Sequence, residues 1–364
     1  MKMLLVGDIS PSPENNHLFG SGNVEALFSD VAPMFQQYDV NIVNLECSLT
    51  ESETQIKKIG PPLKASVGTA ATLKKLGVDY CNLSNNHFFD YGRKGVKDSL
   101  EALDQVKMPY TGFGNNLEES RKDLIIEKNG QKIAVIAVCE HEYSYALEDR
   151  MGTRPFDVFQ TPLDIRAAKE KADRVIVLYH GGKEFCRYPS PRLRSACRAM
   201  AQHGADLVLC QHTHCIGTYE KFGESHIVYG QGNFHFVNQK LSNRPGWKEG
   251  LGAIYDTVEN TLELVPVVQK DEVGIRLANA QEKEEILSGI KERSATLHDG
   301  TWRQQWHDYC LQEKDYYTRV ATQACVPEFG EAGVQRLAHF LDCEAHSDVW
   351  HELFPTYNQT NEKD

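Results

Sequence analysis

Short apolar runs alternate with stretches of helical spacing from residue 2 onward. An apolar run of about four to eight residues bounded by polar turns reads as a buried strand, and apolar positions recurring every three or four residues read as a helix. Residues 3–6, 40–45, 80–83, 175–179 and 207–210 are predicted strands on this basis, and 24–37, 70–76, 96–106, 167–172 and 193–202 have helical spacing. Residues 124–126 and 133–138 flank Asn129-Gly130, a dipeptide that favours a two-residue hairpin turn. Further strands are predicted at 227–229, 252–255 and 261–268. Strands alternating with helices predict an α/β layered fold.

The pattern changes after about residue 270. Charged, helically spaced sequence fills 281–293 and 301–322, with Trp302, Trp306, Tyr309, Tyr316 and Tyr317 recurring at roughly one helical face. The chain is therefore divided into a layered domain, 1–269, and a helical C-terminal extension, 270–364. An aromatic stripe of this kind ordinarily fills a core; the alternatives are a lid over a site or a face for a second copy of the chain, a homo-oligomer. The tail from Asn358 to Asp364 is polar and expected to fray.

Composition narrows the partners. With 364 residues, 41% of them apolar, the chain can bury a full core. Its net charge of −12 argues against nucleic acid, whose backbone needs clustered Lys and Arg. An anionic substrate, small molecule or polymer, stays open because bound cations reverse the local field. No run approaches the roughly 18 apolar residues of a membrane span, and ten scattered cysteines without a C-x-x-C pair read as reduced thiols. A cytoplasmic protein without a membrane partner is the expectation.

Chemistry gathers after the strand ends, the edge where α/β sheets bind ligands. Asp8 follows the first strand, where a turn is the ordinary use of Gly-Asp. Asn44 and Glu46 close the second and share a face, being two apart. Ser84-Asn85-Asn86-His87 follows the third, with Asp90 near enough to orient the imidazole; helix capping is the plainer use of Asn-Asn. His180-Gly181-Gly182 and Gln211-His212-Thr213-His214 close two more strands, and the two imidazoles of H-x-H point one way. Together these residues offer carboxylates, imidazoles and an amide oxygen, a donor set suited to Zn²⁺, Mn²⁺ or Fe. A carboxylate such as Glu46 bridging two divalent ions would make a centre that activates water. Lys183, Arg187 and Arg192 follow His180 and are candidates for anionic groups, ahead of Lys57, Lys58, Lys64 and Arg93. Glu140 and Glu142 flank His141 after another strand, where they could line the site; a solvated loop is the plainer reading. The remaining histidines show no ligand spacing; His235, beside Gly232-Asn233-Phe234, is the one to watch.

In this order the motifs resemble the bacterial capsule-synthesis (CapA, poly-γ-glutamate biosynthesis) family of calcineurin-like metallophosphoesterases. The resemblance spans about residues 2–240 and includes Asp90-Tyr91-Gly92 and Tyr229-Gly230-Gln231-Gly232-Asn233-Phe234. It implies a four-layer α/β/β/α sandwich with two divalent ions at the strand ends. By similarity Asp8 and His214 hold one metal, Asn86, His180 and His212 the other, and Glu46 bridges. His87 is then the general acid and Asp90 its orienter, with Asn44, Asn85, Lys183, Arg187 and Asn233 assigned to substrate. The implied activity is hydrolysis of a phosphoester bond or of an amide bond such as a γ-glutamyl linkage; the alternative is a non-catalytic accessory subunit of a capsule-polymer synthesis complex. Three positions depart from the superfamily pattern: Ser10 where a histidine is usual, Glu46 for Asp, and Gln211 for Gly.

Overall fold

The computed structural model describes residues 1–355; the tail expected to fray lies outside them. Two sheets carry the molecule. The larger has eight strands, with Lys2–Ile9 at its centre. Val40–Leu45, Tyr80–Asn82 and Tyr110–Thr111 follow in parallel on one side, and Glu249–Asp256, Thr261–Gln269 and Ile275–Leu277 run antiparallel on the other. The smaller has six strands, with parallel Gln131–Cys139, Arg174–His180 and Leu207–Gln211 at its centre. The Asn129-Gly130 turn joins Leu124–Lys128 to Gln131–Cys139 as the sequence predicts, both residues at positive φ.

Alternation within each strand builds the layers. Met3 and Leu5 enter a cluster with Ile133, Val135, Ile176, Leu178 and Leu207, which fills the space between the sheets. Leu4 and Val6, pointing the opposite way, pack with Phe19, Leu27, Leu73 and Leu103 of the helices on the outer face. Ile136, Val138, Val175 and Val177 turn outward onto Ile165, Leu193 and Met200 of the helices Gln160–Lys169 and Pro191–Gln202. The layers therefore run helices, sheet, sheet, helices. Strands buried on both faces carry apolar runs, which is why they stand out in the sequence.

Two local readings change. The helical stretch 24–37 is a short α-helix, Val24–Phe28, then a 3₁₀ segment, Ser29–Gln36; Ser29 at φ 44° and Pro33 prevent one continuous α-helix. The larger sheet continues past residue 269 through Ile275–Leu277. Four helices follow: Ala280–Asp299, Trp302–Ala324, Gly330–Asp342 and Glu344–Leu353. The first starts in a capping box between Asn279 and Glu282 and inserts Ile290 between the sheets. The last three share a cluster of Trp306, Cys310, Tyr317, Val320, Phe340 and Val349 with Cys186. Trp302, Trp306 and Tyr317 of the aromatic stripe are thus core, while Tyr309 and Tyr316 face a cavity. Among the described residues no helix is long and apolar enough to cross a membrane.

Candidate metal centre

The parallel strands of both sheets end at one place. From the larger sheet come Asp8, Glu46 and Asn86; from the smaller come His180, His212 and His214. Two ligand triads form, Glu46–His180–His212 and Asp8–Glu46–His214, and within each the ligand atoms lie within 4.8 Å of one another. Glu46 belongs to both. Its side chain is fully buried, and neither carboxylate oxygen has a hydrogen-bond partner. Burial, and then the Asp8 carboxylate, push its pKa up to about 8. A buried carboxylate without donors is costly unless a cation completes it.

The neighbours are preset. His180 Nε2 stands 3.0 Å from Asn86 Oδ1 and 3.4 Å from Glu46 Oε1. Burial holds this imidazole neutral, its pKa down to about 3, the state in which it ligates. Asp8 accepts from the Asn44 amide at 2.7 Å and from the His212 backbone N–H at 3.0 Å. His214 Nδ1 donates to Asn233 Oδ1 at 2.9 Å, which leaves Nε2 as the free nitrogen. His212 Nδ1 is buried and unpartnered, as is the hydroxyl of Ser10, the residue that stands in place of the usual histidine. These orphaned donors and acceptors fit divalent cations. His212 and His214 have φ of 89° and 54°, and Tyr143 and Phe185 beside the cavity have 48° and 62°, conformations that need surrounding structure to hold them.

His87 is fixed from behind. Its Nδ1 lies 2.7 Å from Asp90 Oδ2, which also accepts from the Leu63 backbone, while Asp90 Oδ1 accepts from Lys58 at 2.6 Å. Burial would raise the Asp90 carboxyl, but His87 and Lys58 hold it below the usual range. The dyad reads from the sequence; Lys58, one of four lysines and arginines placed loosely near the loops, is its third member.

Four substrate assignments change. Asn44 and Asn85 are fully buried and bond to each other at 3.1 Å, tying the second and third strand ends together beneath the ligands. Asn233 orients His214 and donates to Trp247 O at 2.9 Å. Arg187 turns away to Glu249, at 3.6 Å, in a separate pocket, because the chain reverses at Phe185. Lys183 does line the cavity over the ligands. Arg192 bonds to Glu140 and Asp348 instead of a substrate. Gly181 makes room for Glu140, since a Cβ there would come within 2.5 Å of it.

The site also holds residues that the sequence places loosely or not at all. Glu142 accepts from Asn86 Nδ2 at 3.1 Å and faces His212 Nε2 at 3.3 Å, so it borders the ligands and is not a solvated loop. It follows a buried strand just as the ligands do, and that is its signal. Glu184 approaches His214 Nε2 at 3.8 Å. His339 and His346, from two C-terminal helices, line the same cavity of about 800 Å³. His235 sits against Phe19 and Phe28 and bonds to Leu27 O at 3.1 Å, a core histidine.

The family model described as bacterial capsule synthesis protein PGA_cap matches residues 2–238. The chain belongs to this family. Every ligand candidate of the PGA_cap segment lies inside the match; the helices that close the cavity lie outside it. The capsule biosynthesis protein CapA of Bacillus anthracis is 28% identical over 245 residues, 65% of this chain and 60% of that protein. The PGA biosynthesis protein CapA of Bacillus subtilis (strain 168) is 29% identical over 237 residues, 64% of this chain and 62% of that protein. The chain thus spans about three fifths of the length of these curated relatives. Among solved structures, a 5'-nucleotidase from Candida albicans SC5314 aligns with a TM-score of 0.41 and 10% identity, over 80% of this chain and 57% of that one. A hypothetical protein from Thermus thermophilus aligns with a TM-score of 0.45 and 18% identity, over 74% of this chain and 100% of that one.

Proposed function

We propose that this capsule-family chain is a metal-dependent hydrolase acting on a phosphoester or γ-glutamyl amide bond of an anionic substrate. One observation carries the reading: Glu46, buried and without a donor, is shared by two ligand triads. Asp8 and His214 would hold one divalent cation and Asn86, His180 and His212 a second, with Glu46 between them. Such a pair supplies Lewis-acid polarisation and a water of lowered pKa. Mixed carboxylate, imidazole and amide donors favour Mn²⁺, Zn²⁺ or Fe.

The chain's own part is proton handling and positioning. With Nδ1 pinned to Asp90, His87 has Nε2 free for the cavity. As the imidazolium it carries a proton on Nε2 as well and donates that one to the leaving group as the bond breaks, and the departing atom keeps the electron pair while the water oxygen takes its place. Asp90, held anionic by His87 and Lys58, stabilises that cation and fixes the orientation of the ring. Lys183 supplies positive charge at the cavity wall for an anionic substrate. The helices Trp302–Ala324, Gly330–Asp342 and Glu344–Leu353 serve the same site as its roof.

His87→Ala should keep its metal by elemental analysis and lose about 10²- to 10⁴-fold in rate on bis(p-nitrophenyl) phosphate or a γ-glutamyl peptide. Loss of metal from that variant would overturn the division between ligand and acid. A second reading, a non-catalytic accessory subunit, is favoured by Ser10 in the histidine position and by a Mycobacterium tuberculosis relative, 22% identical over 233 residues, whose name includes "polyglutamine synthesis accessory protein". One bound metal or none, with no turnover of either substrate, would support it.

A further inference from the structure

Arg187 has no part in the metal centre. It lines a separate pocket of about 330 Å³ together with Lys248 and Arg293. Arg293 comes from the helix Ala280–Asp299, which lies beyond the family match. Both guanidiniums approach one short segment, residues 215–217, directly after His214. Arg293 Nη2 stands 3.3 Å from Ile216 O and 3.4 Å from Gly217 O. A Cβ built on Gly246 would meet Arg187 Nη2 at 2.7 Å and the Cys215 Cβ at 3.1 Å, so these two groups share one corner.

Among the described residues neither guanidinium has a carboxylate within hydrogen-bond length. Arg187 Nη2 lies 3.6 Å from Glu249 Oε2. Arg293 meets its two carbonyls at the long end of the range, and its Nε is buried without a partner. Two other acids of the pocket wall are engaged elsewhere. Glu282 takes both nitrogens of Arg276, at 2.6 and 2.7 Å, and Glu285 takes the Gln281 amide at 2.8 Å. Burial, and then the Arg187 charge, push the Arg293 pKa down. Two cations held this close are costly until an anion joins them.

We infer that this pocket binds free phosphate in a form that keeps an O–H. Arg187 and Arg293 present planar forks suited to oxyanion oxygens, and Lys248 adds a third positive charge at the rim. Glu249, half-buried beside Arg187, sets the choice. Its carboxylate repels an anion that has no proton and accepts a hydrogen bond from one that has. The site is independent of the metal centre and of the reaction proposed there.

The test is calorimetry at pH 8 on the full-length, Mn²⁺-loaded chain freed of excess metal. Inorganic phosphate should occupy a site whose affinity falls at least about tenfold in Arg187→Gln and in Arg293→Gln. Phosphate taken up by the metals would persist in both variants, so the loss reads the pocket alone. Arg187→Gln removes no hydrogen bond among the described residues, and it reads the site even where Arg293→Gln loosens its helix. Sulfate, and methyl phosphate with its second pKa of about 6, carry no O–H at pH 8. Each should bind this site at least about tenfold more weakly than inorganic phosphate, and Glu249→Gln should recover that factor for sulfate. Phosphate binding unchanged in Arg187→Gln would overturn the inference, as would a wild-type chain that binds no phosphate. Equal affinity for the three anions, or a sulfate affinity unmoved in Glu249→Gln, would overturn the choice of a protonated ligand.

Discussion

Glu140 and Glu46 are both buried glutamates at strand ends, yet their surroundings are opposite. Glu140 accepts from the Tyr179 hydroxyl at 2.8 Å, from Arg192 at 2.5 Å and from the Ala345 backbone at 3.1 Å. Arg192 in turn bonds to Asp348 at 2.9 Å, and Asp348 accepts from Ser190 at 2.5 Å. This network fastens the last helix to the smaller sheet, and His141 adds to it through Glu344 at 2.7 Å. Glu46 has none of these donors. Where the fold needs only a joint, it supplies every partner; where partners are missing, the place is set for something that arrives later.

The contrast can be broken by substitution, most strongly at Glu140. Glu140→Ala leaves the Tyr179 hydroxyl, one Arg192 nitrogen and the Ala345 N–H without their acceptor and should cost about 3–5 kcal/mol in urea unfolding. A loss under about 1 kcal/mol would mean the network is not a joint. Glu46→Gln should lower Mn²⁺ affinity by more than about 100-fold, roughly 2.7 kcal/mol, while leaving metal-free stability equal or higher, because a donor-less carboxylate is removed. If it destabilises the metal-free protein as Glu140→Ala does, the two glutamates are of one kind.

Smaller effects sharpen the comparison. Asn233→Ala frees the His214 ring and should weaken metal binding about 10- to 100-fold, read by calorimetry. Metal affinity should also depend on pH. The Glu46 carboxyl is pushed up to about 8, so cations must displace its proton below that value. Affinity should fall by about tenfold per unit from pH 8 to pH 6 in wild type. The slope should flatten in Glu46→Gln; an unchanged slope would assign the proton to another group.

Much of the candidate cage is readable because each candidate ligand ends an apolar run. Asp8, Glu46, Asn86, His180 and His212 all stand where a doubly buried strand stops, and parallel strands bring such ends together without further information. Asn44 and Asn85 end strands too, but sequence does not reveal which polar residue faces the cavity and which lies beneath it. Arg187 misleads because nearness along the chain is not nearness to the site, and the turn at Phe185 carries no residue signature such as glycine. His339 and His346 have no sequence signal: they reach the cavity from helices more than a hundred residues beyond His214, and only tertiary packing sets that approach. The core share of the aromatic stripe follows its helical spacing, whereas Tyr309 and Tyr316 differ from Tyr317 only by the face that meets the body.

The backbone amide of His212 reaches across to Asp8, so each half of the sandwich contributes to every triad. An ion seated there would act as a rivet through the seam between them. Stripping it with a chelator should therefore do more than silence the protein: protease nicking should rise at the loops that meet along that seam, and scarcity of the right metal would shorten the chain's lifetime in the cell.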